Sequence, residues 1–226
     1  MEVRLKAIDD VNIFCDWSPK AGSQKAVLFL HQRGKDHTMW AGLRRALEAN
    51  GSSTLAIDLR GHGKSEGFGK KKDLKFDQAE DYHTMYYDVT AAMDFLKRET
   101  HPTQPSPYQG EERRGQFAII GSSIGANLAL AYAADHFEIK AAVLLSPGLN
   151  YFGLRTDDVM VEYHRPLALI TAKDDPSYPD VQKLMKEPGV QRPNLWYQEY
   201  ETGGHGVKLL EAHPELMEQI MEWMEK

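Results

Sequence analysis

Apolar positions along this chain fall into two alternating kinds of run. Short, nearly unbroken stretches ("AVLFLH", "TLAID", "FAII", "AAVLLS", "LALITA") are separated by longer segments whose apolar residues recur at helical spacing. The short runs predict strands over residues 3–8, 12–17, 26–31, 54–58, 117–121, 141–146, 167–172 and 195–200. A strand without polar alternation meets water on neither face, and that is the habit of parallel sheets covered on both sides. The helical spacing predicts helices over residues 38–50, with Trp40, Leu43 and Leu47 on one face, and over residues 79–98, with Tyr82, Met85, Tyr86, Val89, Met93 and Leu96. A third lies at the C-terminus, with Met217, Ile220, Met221 and Met224 on its stripe and Pro214 suited to its first turn. These aromatic and methionine stripes read as core faces, not cofactor sites.

The first two strands are joined too closely for a crossover helix and so pair antiparallel. The others alternate with helices, which requires right-handed crossovers. The expected architecture is an α/β fold with an eight-stranded, mostly parallel, doubly wound sheet, and residues 1–226 read as one domain. The Pro-, Gly- and charge-rich segment 100–116 reads as a long surface loop, because the strand pattern resumes directly after it.

Composition narrows the function. Apolar residues make up 42% of the 226, enough for a full core. The net charge of −6 gives no global support for binding nucleic acid. A single cysteine, Cys15, rules out an internal disulfide and fits a reducing compartment. The first residues, "MEVRLKAIDD", carry charges where a signal peptide needs an apolar stretch, and no apolar run approaches the roughly 20 residues that span a bilayer. The default location is the cytoplasm. Oligomeric state is not legible in the sequence.

The chemistry concentrates at "FAIIGSSIG" (117–125), where a strand runs into Gly-x-Ser-x-Gly and a small-residue helix, "ANLALAYAA", follows. In that context the pattern is a nucleophile elbow: a strained turn lifts the hydroxyl of Ser123 above the sheet, and Gly121 and Gly125 flank it because side chains would collide there. A serine needs a base, and the base needs an orienting acid. In an open α/β sheet both come from loops at the carboxyl ends of strands. "LALITA" ends in "KDDPSYP", with Asp174 and Asp175, and "LWYQEY" is followed by "ETGGHGVKLL", with His205 between glycines.

Together, the elbow, the acid loop and the "GGHG" histidine resemble the α/β-hydrolase superfamily, on its lidless, dienelactone-hydrolase-like side. "LFLHQRG" (28–34) stands where that family has its oxyanion loop, and "DLRGHGKS" (58–65) is similar to its frequent D-x-R-G-H-G-x-S stretch. The resemblance implies a Ser123–His205–Asp175 triad, with Asp175 favoured over Asp174 because the second aspartate matches the family's acid loop. It also implies an oxyanion hole built from the amides of Ile124 and of Arg33, with Gln32 as the alternative donor. The family commonly has Gly at the position of Gln32, and backbone donors tolerate that change. One such donor is typically worth about 3–4 kcal/mol in the transition state.

The implied activity is that of a cofactor-free serine hydrolase, a carboxylesterase acting on small-molecule esters. Thioesterase, acyltransferase or peptidase chemistry on the same triad is the nearest rival, and a non-catalytic binding protein with the same fold is the second. Only residues 147–165 separate "VLLS" from "LALITA", too few for a cap domain, so a small helix or flap and an open pocket are expected. His31 and His62 read as loop braces. No HExxH or paired-cysteine spacing supports a metal at His31, His37 and His205. "GHGKS" fails as a phosphate loop because Asp58 stands where that motif needs glycine. Arg33, Lys35, Lys64, Lys70, Lys71 and Lys72 fall on loops at the expected active end, either as a solvated basic face or as an attractor of anionic substrate.

Overall fold

The structure, a computed structural model, describes residues 1–66, 82–100 and 116–226. The runs that read as strands form one sheet: β1 (Glu2–Lys6), β2 (Asn12–Ser18), β3 (Lys25–Leu30), β4 (Ser53–Ile57), β5 (Gln116–Ser122), β6 (Ile139–Leu145), β9 (Leu167–Ala172) and β10 (Leu195–Tyr200). Its strand order is β1-β2-β4-β3-β5-β6-β9-β10. The pairs β1–β2 and β2–β4 are antiparallel and all the others parallel, so the predicted eight-stranded, mostly parallel sheet is what the chain forms. A two-stranded hairpin, β7 (Asn150–Tyr151) and β8 (Leu154–Arg155), stands apart from it.

Helices cover both faces. Alternate residues of each apolar strand point to opposite layers. Leu28, Leu55, Ile119, Leu144 and Leu169 pack with α2 (Met85–Thr100), α3 (Ile124–Asp135) and α5 (Tyr178–Leu184). Val27, Phe29, Ile120, Val143 and Ile170 pack with α1 (Ala41–Ala49), α6 (Lys208–Ala212) and α7 (Glu215–Met224). This two-sided burial is why the strands carry no polar alternation. The Trp40, Leu43 and Leu47 stripe faces the second layer, and the Met85, Val89, Met93 and Leu96 stripe the first.

Boundaries moved where local chemistry intervened. Segment 38–50 divides into a 3₁₀ turn, His37–Trp40, and α1, because Asp36 caps the turn by accepting from the Thr38 amide. The predicted C-terminal helix forms as α7, with Pro214 directly preceding its first residue, and the short α6 comes before it. Residues 79–81 and 101–115, parts of the expected second helix and surface loop, lie outside the described residues; Thr100 and Gln116, the ends of that loop segment, belong to α2 and β5. Between β6 and β9 the chain forms the hairpin and a short helix, α4 (Asp157–Glu162), with no cap domain. No described helix is long and apolar enough to cross a membrane.

Candidate active site

Ser123 sits between the last residue of β5 and the first of α3, with φ 56° and ψ −122°. The left-handed φ is strained for a residue with a Cβ, at about 1–3 kcal/mol. The fold holds the turn by a Ser123 amide bond to the Leu145 carbonyl (2.8 Å) and by the Ala126 amide bonding back to the Ser123 carbonyl (2.8 Å). Its glycines are obligatory. A Cβ on Gly121 would lie 2.1 Å from the Gly125 carbonyl oxygen, and one on Gly125 would lie 2.4 Å from that of Leu30. The amide of Ile124 belongs to the first turn of α3, which the helix itself leaves without a partner.

The loops that follow β9 and β10 meet at the same rim. His205 Nδ1 lies 2.8 Å from Asp175 Oδ1, which also accepts from the Ser177 amide (2.7 Å) and hydroxyl (2.8 Å). Burial alone would push the Asp175 carboxyl upward. Hydrogen bonds from His205, Ser146 and Ser177 outweigh it and hold the group below the usual carboxylate range. An ionised acceptor at Nδ1 fixes the imidazole with its proton there and leaves Nε2 as the free base. Asp174 does different work: its oxygens accept from the amides of Gly204 (2.9 Å) and Gly203 (3.3 Å), tying down the loop that carries the histidine.

Four further residues shape this rim, and the sequence reading did not single out their side chains. Gln32 Oε1 accepts from the Ser122 hydroxyl (3.1 Å) and the Val207 amide (3.3 Å), so it ties the serine turn to the histidine loop. Ser146, at the end of β6 with φ 54°, accepts from the Gly206 amide through its hydroxyl (2.7 Å). Tyr151, on the hairpin, turns its half-buried hydroxyl to the Ser146 carbonyl (3.5 Å). Asn127, buried in α3, holds that hairpin through the Gly148 amide (3.1 Å) and the carbonyls of Gly148 (3.0 Å) and Leu154 (2.7 Å). Ser146 had a usable signal, since it ends an apolar strand as the other rim residues do. The other contacts depend on where separate loops meet.

Several of the remaining candidates have partners within the fold. His31 is fully buried; Nε2 accepts from the Leu59 amide (2.9 Å), so Nδ1 carries the proton and donates to the Gln32 carbonyl (2.8 Å). Burial pulls its pKa down to about 4. Asp36, His37 and Asp58 come close enough to suggest a cation site. Their near oxygens are already engaged: Asp58 accepts from the His37 amide and ring (both 2.7 Å) and the Lys64 amide (2.8 Å), and Asp36 from Thr38. "GHGKS" is a loop wound around Asp58, with Ser65 donating to the Asp58 carbonyl. Of the basic residues, Lys64 pairs with Glu2, Lys35 is exposed, and Lys70, Lys71 and Lys72 lie outside the described residues. Arg33 is exposed at the rim, with its guanidinium carbon 4.9 Å from the centre of the Phe152 ring.

Residues 21–153 match the family described as serine aminopeptidase, S33. Among solved structures, an esterase of Pyrococcus furiosus superposes with a TM-score of 0.77 at 21% identity, covering 100% of this chain and 91% of that one. An esterase of Exiguobacterium antarcticum gives 0.74 at 15% identity, covering 100% of both chains. A thioesterase domain from the curacin biosynthetic pathway gives 0.72 at 14%, covering 98% of this chain and 99% of the other. At these identities the likeness is one of fold.

Proposed function

This chain belongs to the serine aminopeptidase, S33, family of α/β-hydrolases, and from that premise we propose that it is a serine hydrolase cleaving small or accessible carboxylic esters through an acyl-enzyme. The observation that carries the reading is the His205–Asp175 pair, 2.8 Å apart, on the rim that also bears the strained Ser123 turn. Ser123 Oγ attacks the ester carbonyl and passes its proton to His205 Nε2. Asp175 holds the tautomer and stabilises the imidazolium. The amides of Ile124 and Arg33 receive the oxyanion, Gln32 being the alternative to Arg33. The C–O bond breaks and the alkoxide takes the proton from His205. Water, deprotonated by the same imidazole, then attacks the acyl carbonyl, releasing the acid and restoring Ser123. Each step uses groups of the chain, the substrate and water.

The short hairpin in place of a cap supports accessible substrates over long buried chains. The lone, buried Cys15 fits a cytoplasmic location, and residues 1–226 are taken to work as one domain. Peptidase or thioesterase activity would use the same groups, and a series of matched ester, thioester and amide substrates separates them. The primary test is labelling by a fluorophosphonate probe. The wild-type protein is expected to label and Ser123→Ala to stay unlabelled while folded. Persistent labelling of the variant would place the nucleophile elsewhere and overturn the reading.

A further inference from the structure

We infer that Arg33 binds a negatively charged group, a carboxylate or a phosphate, on the non-reacting part of the substrate. The inference rests on the ester-cleaving reading of Ser123 and narrows it to esters that carry an anion.

The argument starts with how the guanidinium is held. Arg33 leaves the loop after β3, and its planar group lies over the face of Phe152 at 4.9 Å. Phe152 is stacked on the buried ring of Tyr82, with centres 4.0 Å apart and planes 9° from parallel. The hairpin that presents Phe152 does so at a cost, because this bulky residue has φ 54°. It is also fixed from below, since Asn127 ties its base to α3 and the Thr156 hydroxyl (2.6 Å to the Gly148 carbonyl) closes that base. The next residue back, Tyr151, directs its hydroxyl to the Ser146 carbonyl (3.5 Å), and the Ser146 hydroxyl accepts from the Gly206 amide of the histidine loop. One hairpin therefore reaches the rim with one side chain and supports the arginine with the adjacent one.

The second part of the argument is charge. An aromatic face covers one side of a guanidinium and leaves its N–H edge directed outward. Among the described residues Arg33 has no carboxylate within ion-pair distance. The two aspartates of the loop after β9 are already committed, Asp175 to His205 and Ser177 and Asp174 to two glycine amides. Among the described residues the rim thus presents an unpaired cation in the fork geometry that matches carboxylate or phosphate oxygens. The same charge would repel the free ammonium of a peptide N-terminus, so it weighs against aminopeptidase substrates at this site.

Binding is measured by calorimetry in the Ser123→Ala background, where esters are not turned over. The probes are monoethyl adipate, 2-acetoxyethyl phosphate and, as the neutral control, diethyl adipate. Adding Arg33→Gln is expected to weaken the anionic probes about tenfold more than diethyl adipate at low salt; Arg33→Lys keeps part of the effect. The stronger of the two anionic probes distinguishes carboxylate from phosphate. Equal affinities with and without the arginine would overturn the inference. Hydrolysis of the same esters by the Ser123-intact protein is followed by proton release. If no ester is cleaved but anion binding still depends on Arg33, the esterase reading falls and the anion site stands. If esters are cleaved with the same anionic-to-neutral ratio in Arg33→Gln, the anion site falls and the esterase reading stands.

Discussion

Acid should destabilise this protein partly through one buried histidine. His31 is fully enclosed between the ends of β3 and β4, with both ring nitrogens bonded to backbone, and its folded pKa lies near 4. In the unfolded chain the same ring titrates near 6.5. A histidine whose folded pKa is depressed lends stability above the unfolded value, and that contribution drains away as pH falls from about 6.5 toward 4. At pH 5 nearly all unfolded molecules carry the proton and only about a tenth of folded ones do, a difference worth about 2 kcal/mol. For a domain of this size that is about 4–8 °C in melting temperature. Carboxylates held down in the fold, Asp175 among them, lose stability in the same direction, so the comparison must cancel them. His31→Gln does this, because it removes one titration and leaves the rest. The measurement is urea unfolding of both proteins at pH 8 and pH 5. The variant should be less stable at pH 8 by about 1–3 kcal/mol, from the lost Leu59 and Gln32 bonds. Its fall between the two pH values should be smaller than that of the wild type by about 2 kcal/mol. Parallel falls in the two proteins would show that His31 takes up its proton as readily folded as unfolded, and the reasoning would fail.

Two other substitutions probe the rim. Gly206→Ala would put a Cβ 2.2 Å from Gln32 Oε1 and 2.4 Å from Ser122 Oγ at φ 66°, so it should displace His205. Ester turnover should fall by about a hundredfold or more, consistent with a misplaced base, and a kcat near wild type would contradict this. Gln32→Leu leaves the Val207 amide and Ser122 hydroxyl without their shared acceptor, with an expected loss of about 1–3 kcal/mol by denaturant titration. The rate of fluorophosphonate labelling should drop along with it, and unchanged labelling would show that the serine turn and the histidine loop keep their spacing without that bridge.

The sequence alone determined the sheet and the places along the chain of the residues that meet at its rim. Runs such as "AVLFLH" and "LALITA" are apolar throughout because both faces are covered, and that requirement is written in every residue of the strand. The serine turn was legible for a similar reason: Gly121 and Gly125 answer to collisions within a few residues or with one neighbouring strand. What the sequence left open was anything that depends on two distant loops arriving at one place. Nothing in "KDDPSYP" distinguishes an aspartate aimed at an imidazole from one aimed at glycine amides; the divergence of Asp175 and Asp174 follows from where the β9 and β10 loops meet. An all-apolar strand likewise does not say which of its residues face which layer, and the split of Val27 and Phe29 from Leu28 and Leu30 is set by the packed helices. Gln32 read as a departure in an oxyanion loop, and only the tertiary structure made it a bridge between the serine turn and the histidine loop, because its partners, Ser122 and Val207, lie 90 and 175 positions away. Local sterics leave their mark on neighbouring residues in the chain. Long-range hydrogen bonds do not, since any amide or hydroxyl serves once the fold has brought it within reach.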